Sequence, residues 1–238
     1  MFIMQKKTYE FVKGSNRFGV YAIPRSSMHR PAARKTLRGE VHEAETLSFM
    51  INCCGEGDIV HAGTYFGDFL PALSNNIAPE ALIWAFEPNP ESFFCAKKTI
   101  AANKINNVKF SNVGLGARPK IAKLNVRHQN GLALGGGSRF GDYSSSERYE
   151  SEKVRIVRLD DVVPNGRHVG VMQLDVEGYE KEALTGALAT IKRCKPLLIL
   201  EVLQDSDLVE GAWFAAKIRS LGYQQMQKLH GNIVFGCI

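Results

Sequence analysis

Two carboxylates that follow an apolar segment are the residues best suited to acid–base chemistry. Asp175 and Glu177 come directly after residues 169–174, in the sequence QLDVEGYE. A hydroxyl is a poor nucleophile at neutral pH, so a reaction at a hydroxyl needs a base within hydrogen-bond reach. We expect Asp175 to be that base, with Glu177 as the second candidate. In the alternative interpretation, either carboxylate caps the following helix or binds the amino group of a ligand.

A third acid, Glu87, ends another apolar segment, residues 81–86, and Pro88 follows it. At this point of an α/β sheet, a carboxylate can accept hydrogen bonds from both hydroxyls of a ribose. Asn112 and Val113 end the next apolar segment, where Asn112 can meet the amino group of an adenine. These residues indicate a nucleoside site. In the alternative interpretation, Glu87 is an acid at a helix start and Asn112 is an ordinary turn residue.

The turn of residues 63–68, GTYFGD, has glycines where a ligand can approach backbone amides at the start of a helix. The dinucleotide fingerprint would need glycine at Tyr65 and Asp68, and the charge of Asp68 repels a phosphate. A ligand with an ammonium or sulfonium centre tolerates that charge better, so NAD and FAD are disfavoured. His61 precedes the turn, where it either takes part in proton transfer or is a packed histidine.

Metal ligation is the weaker interpretation of the acids. Asp160, Asp161, Asp175 and Glu201 could supply oxygen ligands to a hard divalent cation, but scattered acids are common in a chain of this length. No metal site is therefore predicted. The five cysteines form an odd set without a CxxC pair, which argues against a zinc site and against a disulfide framework.

The elements that position these residues alternate along the chain. From residue 58 onward, short apolar segments alternate with helical patterns, which is typical of a parallel sheet covered by helices. Core strands are predicted at 58–62, 81–86, 108–113, 169–174 and 197–202, added strands at 121–126 and 154–157, and a closing hairpin at 223–228 and 232–237.

Capping and periodicity predict the helices. Asn89 is a suitable N-cap and Pro90 a suitable first residue for the helix after the second strand. One helix is predicted over 180–193. It has acids at 180 and 182 in its first turn and basic residues at 192 and 193 in its last turn, which is the arrangement that the helix dipole favours. Other helices are predicted after residue 69, with Pro71 in the first turn, over 208–221, and around the apolar positions 47–51.

Residues 128–152 hold five glycines and five serines and show no period, which predicts a loop. A loop of this length inside a compact domain is usually functional or disordered. A lid over the site and simple flexibility are the two interpretations.

Composition limits the class of protein. With 238 residues, 45% of them hydrophobic and 23% charged, the chain suits one ordinary globular domain and excludes repeat arrays and disordered classes. No apolar segment approaches the roughly 20 residues of a spanning helix, so the default location is the cytoplasm.

The net charge of +6 comes from the beginning of the chain, because residues 1–40 carry nine Lys or Arg and two Glu. We therefore divide the chain into a basic N-terminal arm with a leading helix, residues 1–57, and a catalytic domain, residues 58–238. The arm is expected to lie over the acceptor side or to contact a second copy, and a weak contact with a membrane surface is possible.

Six segments occur in the order HAGTYFG, AFEPNP, SNVGLG, RLDD, QLDVEGYE and LLILEV. This pattern, over about residues 58–202, resembles the FkbM family of S-adenosylmethionine-dependent methyltransferases, and FEPNP and LDVEGYE are its most specific parts. The resemblance implies an α/β class I methyltransferase fold, Rossmann-like, with a mostly parallel seven-stranded sheet, an antiparallel last strand and helices on both faces. It also implies O-methylation of a sugar or polyketide-like hydroxyl.

The resemblance assigns the cofactor site by motif. Gly63 and Gly67 would line the methionine part of S-adenosyl-L-methionine, Glu87 the ribose and Asn112 the adenine side. The neighbouring residues that complete the predicted cofactor site are His61, Tyr65, Phe66, Asp68, Pro88, Val113 and Asp175.

Two positions depart from the family pattern. His61 stands where the family usually has an acid, and Gln173 where it has a lysine. The missing acid puts the contact to the cofactor's amino group in doubt, with Asp68 as a substitute, and His61 joins Asp175 and Glu177 as a catalytic candidate.

The sequence therefore predicts an O-methyltransferase that acts on a small-molecule or glycan acceptor and not on nucleic acid, with a homo-oligomer as one form to test. A degenerate fold that binds cofactor or partner without catalysis is the first alternative. An NAD-linked oxidoreductase is the second, disfavoured by Tyr65 and Asp68.

Overall fold

The computed structural model describes residues 8–141, 149–203 and 205–237. Its strands are β1 (Phe11–Asn16), β2 (Gly19–Pro24), β3 (Asp58–Ala62), β4 (Ile83–Phe86), β5 (Val108–Ser111), β6 (Gly114–Leu115), β7 (Lys120–His128), β8 (Arg139–Phe140), β9 (Tyr149–Val157), β10 (Val169–Leu174), β11 (Leu197–Glu201), β12 (Tyr223–Leu229) and β13 (Asn232–Cys237). Its α-helices are α1 (Pro31–Leu37), α2 (Ala44–Cys53), α3 (Leu70–Asn76), α4 (Pro90–Ala102), α5 (Glu180–Thr185), α6 (Leu188–Cys194) and α7 (Ala212–Lys217).

A seven-stranded sheet carries the fold, in the order β12-β13-β11-β10-β3-β4-β5. The strands β3, β4, β5, β10 and β11 are parallel, and β13 is antiparallel to both of its neighbours. The predicted mostly parallel sheet with an antiparallel last strand is confirmed. The chain order reverses between β3 and β10, and this is where ligands bind in open α/β sheets.

Helices cover both faces of this sheet, as predicted. Residues of α2 and α3 pack with Ile59, Val171 and Ile199 on one face. Residues of α5, α6 and α7 pack on the other face with Val60, Met172 and neighbouring apolar side chains. Because side chains alternate along a strand, β3, β4, β10 and β11 each supply both clusters, which explains their nearly continuous apolar sequence.

Most predicted helices are confirmed, with two changes of length. Asn89 caps α4 by accepting from the amides of Glu91 and Ser92, and Pro71 lies in the first turn of α3. The single helix expected over 180–193 is two short helices, because the chain leaves the helix at Gly186–Ala187. An added Cβ at Gly186 would overlap the backbone of Gly116. The helix expected over 208–221 is limited to α7 and a following 3-10 turn.

The expectation that residues 128–152 form one loop is wrong at both ends. The strand β7 extends to His128 and β9 begins at Tyr149, and with β6 and β8 they form a separate four-stranded sheet. A 3-10 turn spans Gly135–Gly137. Polar residues of this segment therefore form strands by pairing with one another, although their sequence has no apolar alternation. The segment 142–148 lies outside the described residues.

The basic N-terminal region contains a hairpin that the sequence analysis did not predict. The strands β1 and β2 are antiparallel. The amide of Val20 donates to Oδ1 of Asn103, which follows α4, and the amide of Ala22 donates to Oγ1 of Thr99 in α4. The buried side chains of Tyr21 and Ile23 contact the turn that holds Phe66. The predicted leading helix is present as α2. The division at residue 57 stays a prediction.

The five cysteines are free thiols. Among the described helices, none combines the length and the hydropathy needed to cross a bilayer.

Candidate active site at the carboxyl edge of the sheet

A row of polar side chains lies where β3, β10 and β11 end. Leu174 pairs with Leu200, so the residues that follow them, Asp175 and Glu201, lie side by side at the edge of the sheet. Gln173 pairs with His61 one step before. His61, Gln173, Asp175 and Glu201 therefore share one face of the sheet, in the continuation of an apolar face. Polar groups here face a cleft.

The turn after β3 brings the backbone close to the end of β10. Gly63 has φ of 88°, and an added Cβ would overlap the carbonyl oxygen of Asp175. The Gly63 amide donates to the carbonyl of Phe86 (3.0 Å) and the Asp175 amide donates to that of Ala62 (3.0 Å). Only glycine fits at this crossing, which explains one of the two glycines in the motif.

Glu87 fixes this turn from the end of β4. Its Oε2 accepts from the amide of Tyr65 (2.7 Å) and its Oε1 accepts from the amide of Asn89 (2.8 Å). Burial raises its pKa to about 8, although the two amides act in the opposite direction. Asn112 donates to the carbonyls of Glu87 (2.8 Å) and Pro88 (3.1 Å) and thereby holds the backbone of the acid in place.

The apolar pocket is a narrow cavity at the ends of β3, β4 and β10. Its lining residues are Ala62, Gly63, Phe86, Glu87, Pro88, Val113, Gly114, Leu115, Gly136, Ser138, Phe140, Asp175 and Val176. Two acids, Glu87 and Asp175, in a slot that is otherwise mostly apolar match a ligand with a flat apolar ring and a few hydroxyls.

The acidic pocket adjoins it and encloses about 860 Å³, including its open mouth. Its lining residues are Arg30, Pro31, Ala32, His42, Glu43, His61, Gly63, Tyr65, Asp68, Phe69, Gly136, Gln173, Asp175, Glu177 and Glu201. Five of these side chains are acids. The two pockets share Gly63, Gly136 and Asp175.

Burial and mutual repulsion perturb the acids of this pocket. Burial of the Asp175 carboxyl raises its pKa, and so do a hydrogen bond to Glu201 and the charges of Glu201 and Glu177. Burial raises the pKa of Glu177 to about 7, and Glu201 adds to it while Arg30 opposes it. Burial likewise raises the pKa of Asp68 to about 7. Glu177 and Asp68 therefore titrate near neutrality, where a carboxyl can exchange protons with a reacting group.

His61 is held as a neutral imidazole. Its Nδ1 lies 2.5 Å from Oε1 of Gln173, an atom that can only accept, so Nδ1 carries the ring hydrogen. Burial lowers the pKa of His61 to about 4, and the ring stacks on Phe69. Within the described residues, its Nε2 has no hydrogen-bond partner.

The predicted site residues are distributed between the two pockets. Pro88, Val113 and Glu87 line the apolar pocket, and His61, Tyr65, Asp68 and Glu177 line the acidic pocket. Gly67, Phe66 and Asn112 are not among the lining residues of either one. Phe66 is fully buried against the N-terminal hairpin, and Gly67 supports the turn with φ of 80°. The assigned roles stay predictions.

Of the four acids weighed as metal ligands, Asp175 and Glu201 come together and the other two do not. Asp160 accepts from the amides of Ala189 and Thr190 at the start of α6, and Arg158 pairs with both Asp160 and Asp161. Their role is to fix a helix start. Glu177 instead joins Asp175 and Glu201, with one oxygen of each within 4.8 Å of the others.

Sequence reasoning missed several lining residues. Glu43 and Arg30 reach the acidic pocket from the N-terminal region, and no local sequence pattern predicts that they line it. Glu201 was weighed only as a metal ligand, although it ends β11 beside the position at which Asp175 follows β10.

The segment around Gly136 lies over the boundary of the two pockets. A Cβ on Gly136 would lie 3.4 Å from the Tyr65 ring, and the Tyr65 hydroxyl lies 2.5 Å from that of Ser27. Ser138 accepts from Asn89 Nδ2 (2.9 Å). Part of the predicted lid is therefore hydrogen-bonded to the site, and its role as a lid stays a prediction.

Comparison with known proteins agrees with this geometry. The methyltransferase FkbM domain family matches residues 61–224, which is more than half of the chain. No protein with a curated description matches the sequence.

Two solved structures share the fold. The methyltransferase FkbM from Methylobacillus flagellatus KT has a TM-score of 0.52 at 15% identity, over 76% of this chain and 43% of that chain. TYW2 from M. jannaschii, in complex with AdoMet, has a TM-score of 0.52 at 12% identity, over 98% of this chain and 90% of that chain. The chain thus spans less than half the length of the first structure.

Proposed function

The chain belongs to the FkbM methyltransferase family and has the class I methyltransferase fold, and from this premise we propose its reaction. It transfers the methyl group of S-adenosyl-L-methionine to a hydroxyl of a sugar, a glycan or a similar small molecule. The acceptor is proposed not to be a nucleic acid.

The observation that carries this proposal is the pair of adjoining pockets, one apolar and one acidic. S-adenosylmethionine combines a nucleoside with an ammonium group and a sulfonium centre. The apolar pocket, with Glu87 at its edge, suits the adenosine, and the acidic pocket suits the cationic part. Gly63 and Asp175 line both, where the methionine chain would cross from one to the other.

The residues of this chain would divide the work of binding. Glu87 accepts hydrogen bonds from the ribose hydroxyls, and Pro88 and Val113 pack beside the base. Asn112 holds the carbonyls of Glu87 and Pro88, and its adenine contact remains a prediction. Asp68 replaces the missing acid at position 61 as the partner of the amino group.

The bound cofactor would supply an electrophilic methyl group on sulfur, and the chain's own residues prepare the acceptor. Asp175 takes the proton of the acceptor hydroxyl, because a carboxylate with a raised pKa is a stronger base than an ordinary one. Glu177 is the second candidate. His61, with an unprotonated Nε2, accepts a hydrogen bond from acceptor or water. Alignment of the acceptor oxygen with the methyl carbon supplies much of the rate.

The non-catalytic alternative rested on the two departures from the family pattern, His61 and Gln173. These residues are hydrogen-bonded to each other. A neutral pair thus stands where an acid and a lysine are usual, and it leaves no unpaired charge. The departures favour a changed but intact pocket.

Titration calorimetry with S-adenosylhomocysteine tests the cofactor site. We expect binding to the wild-type chain and an affinity at least tenfold weaker, about 1.4 kcal/mol, for Glu87→Ala. Because Glu87→Ala also leaves two buried amides without an acceptor, Glu87→Gln is measured beside it, with circular dichroism as a check of folding. The exposed acid Glu56, changed to Gln, is the matched control.

Absence of binding to the folded wild-type chain would overturn the proposal. If binding is found, a screen of monosaccharides, glycans and RNA with labelled S-adenosylmethionine identifies the acceptor class. A product only with RNA would contradict the proposed sugar, glycan or small-molecule acceptor, and no product with any acceptor would favour the non-catalytic alternative.

A further inference from the structure

Asp175, Glu177 and Glu201, named here the carboxylate triad, converge in the acidic pocket. One oxygen of each lies within 4.8 Å of the others. A hard divalent cation binds oxygen at roughly 2.0–2.6 Å, so two ligand atoms on opposite sides of one ion are about 4–5 Å apart. The separations in the triad therefore fit the ligand shell of a single ion.

The triad lacks a protein counter-ion at contact distance. In the ranges 8–141, 149–203 and 205–237, none of its three carboxylates takes part in an ion pair. Partly buried carboxylates without a paired cation are costly, because each loses hydration and repels the others. A bound cation removes both costs.

His61 gives a second observation, independent of the acids. Its side chain is only 3% exposed, it lines the same pocket, and its Nε2 has no partner among the described residues. Gln173 fixes the ring so that Nε2 is a free acceptor. Small divalent cations keep several waters when they bind to proteins, and a water on the ion is a strong donor for such a nitrogen.

We propose that the carboxylate triad binds one divalent cation of the oxygen-preferring class, Mg²⁺, Mn²⁺ or Ca²⁺, with a water of the ion donating to His61 Nε2. The binding of the ion is independent of any reaction, while its chemical role rests on the proposed function.

In that role, an acceptor hydroxyl that coordinates the ion loses its proton more readily, because the cation stabilises the alkoxide. The O–H bond breaks and its proton passes to the carboxylate oxygen of Asp175 that does not bind the ion. The new O–CH₃ bond then forms as the S–CH₃ bond breaks and leaves a neutral thioether.

The test is Mn²⁺ binding to the full chain after treatment with EDTA, followed by electron paramagnetic resonance and calorimetry without cofactor. We expect one site in the wild-type chain, from which Mg²⁺ or Ca²⁺ displaces Mn²⁺. Glu201→Gln and Asp175→Asn should weaken binding at least tenfold, and Glu56→Gln, an exposed acid, should leave it unchanged.

Thermal unfolding provides the second readout. Mn²⁺ should raise the melting temperature of the wild-type chain and of Glu56→Gln, but not that of Glu201→Gln. If Glu201→Gln does not fold, Glu177→Gln takes its place. Absence of Mn²⁺ binding at millimolar concentration, or binding that these changes leave intact, would overturn the proposal.

The outcome is distinguishable from that of the proposed function. If the chain binds S-adenosylhomocysteine but does not bind Mn²⁺, the cation proposal is wrong and the methyltransferase proposal stands. If the chain binds Mn²⁺ at the triad but does not bind S-adenosylhomocysteine, the methyltransferase proposal is wrong and the cation site stands.

Discussion

The apolar pocket and the acidic pocket meet at Gly63 and Asp175 but are built differently. Most of the apolar pocket consists of backbone and hydrophobic side chains at the ends of adjacent strands. The acidic pocket collects charged side chains from the N-terminal region, the turn after β3 and the ends of β10 and β11. The ends of adjacent strands are enough to form most of the apolar pocket, whereas the acidic pocket also needs residues from outside the sheet.

Backbone strain is concentrated on the acidic side. Of the six non-glycine residues with positive φ in the described chain, Glu43, Tyr65 and Glu177 line the acidic pocket, at 44°, 50° and 55°. Such conformations cost of order 1–3 kcal/mol each and persist only where the surroundings impose them. The fold therefore holds the backbone of these three residues in unfavourable conformations, which is typical of a reactive site.

The largest expected effect separates the two pockets by function. If the acidic pocket performs the chemistry, Asp175→Asn lowers the rate of methyl transfer by about 10²–10⁴-fold, because the acceptor loses its proton acceptor. The affinity for S-adenosylhomocysteine should change by less than about threefold. Single-turnover kinetics and calorimetry measure the two quantities. An equal loss in both would make Asp175 a cofactor ligand and break the separation.

The second prediction concerns the glycine that both pockets share. Gly63→Ala should lower the free energy of unfolding by at least about 3 kcal/mol and abolish S-adenosylhomocysteine binding, since the new Cβ overlaps Asp175. Gly55→Ala is the matched control, because Gly55 also has positive φ but no atom within 4 Å of an added Cβ. It should cost about 1 kcal/mol. If urea unfolding shows the same loss of unfolding free energy for Gly63→Ala and Gly55→Ala, the close approach of Gly63 to the Asp175 carbonyl is refuted.

The third and smallest effect is the dependence of stability on pH. The pKa of Asp68 in the acidic pocket is raised to about 7 and that of Glu87 in the apolar pocket to about 8, both by burial. A carboxyl with a raised folded-state pKa contributes stability below its unfolded pKa, and the contribution is lost as the pH rises through the folded value. The free energy of unfolding should therefore fall as the pH rises from 5 to 8.5.

Variants assign this slope to one pocket or the other. In EDTA-containing buffer, Asp68→Asn should flatten the curve up to about pH 7, and Glu87→Gln should flatten it up to about pH 8, so that the slope between pH 7 and 8 belongs mainly to Glu87. Glu56→Gln should leave it unchanged. A stability that increases over this range would contradict both assignments.

Much of the sheet and of the cofactor side could be predicted from local sequence. The segments that became β3, β10 and β13 were placed at their observed bounds, because buried strands have continuous apolar sequence with clear ends. The position of Glu87 followed from the same rule, since the end of a parallel strand fixes the edge at which its next residue lies.

The acidic pocket could be predicted only in part. Asp175 and Glu177 were found from their strand, but Glu43 and Arg30 come from a region that was interpreted by charge alone. The hairpin of β1 and β2 was missed because β1 has apolar side chains only at Phe11 and Val12 and therefore shows no apolar alternation.

The sequence by itself determined the parallel sheet, its antiparallel end and the acid at the end of the second core strand, because each depends on short-range pattern. Only the tertiary structure decided that Glu201 lies beside Asp175, that His61 pairs with Gln173, and that Asp160 leaves the site to cap a helix. These depend on strand register and on contacts over more than 25 residues. Register is set by packing of whole strands, so spacing alone does not reveal it.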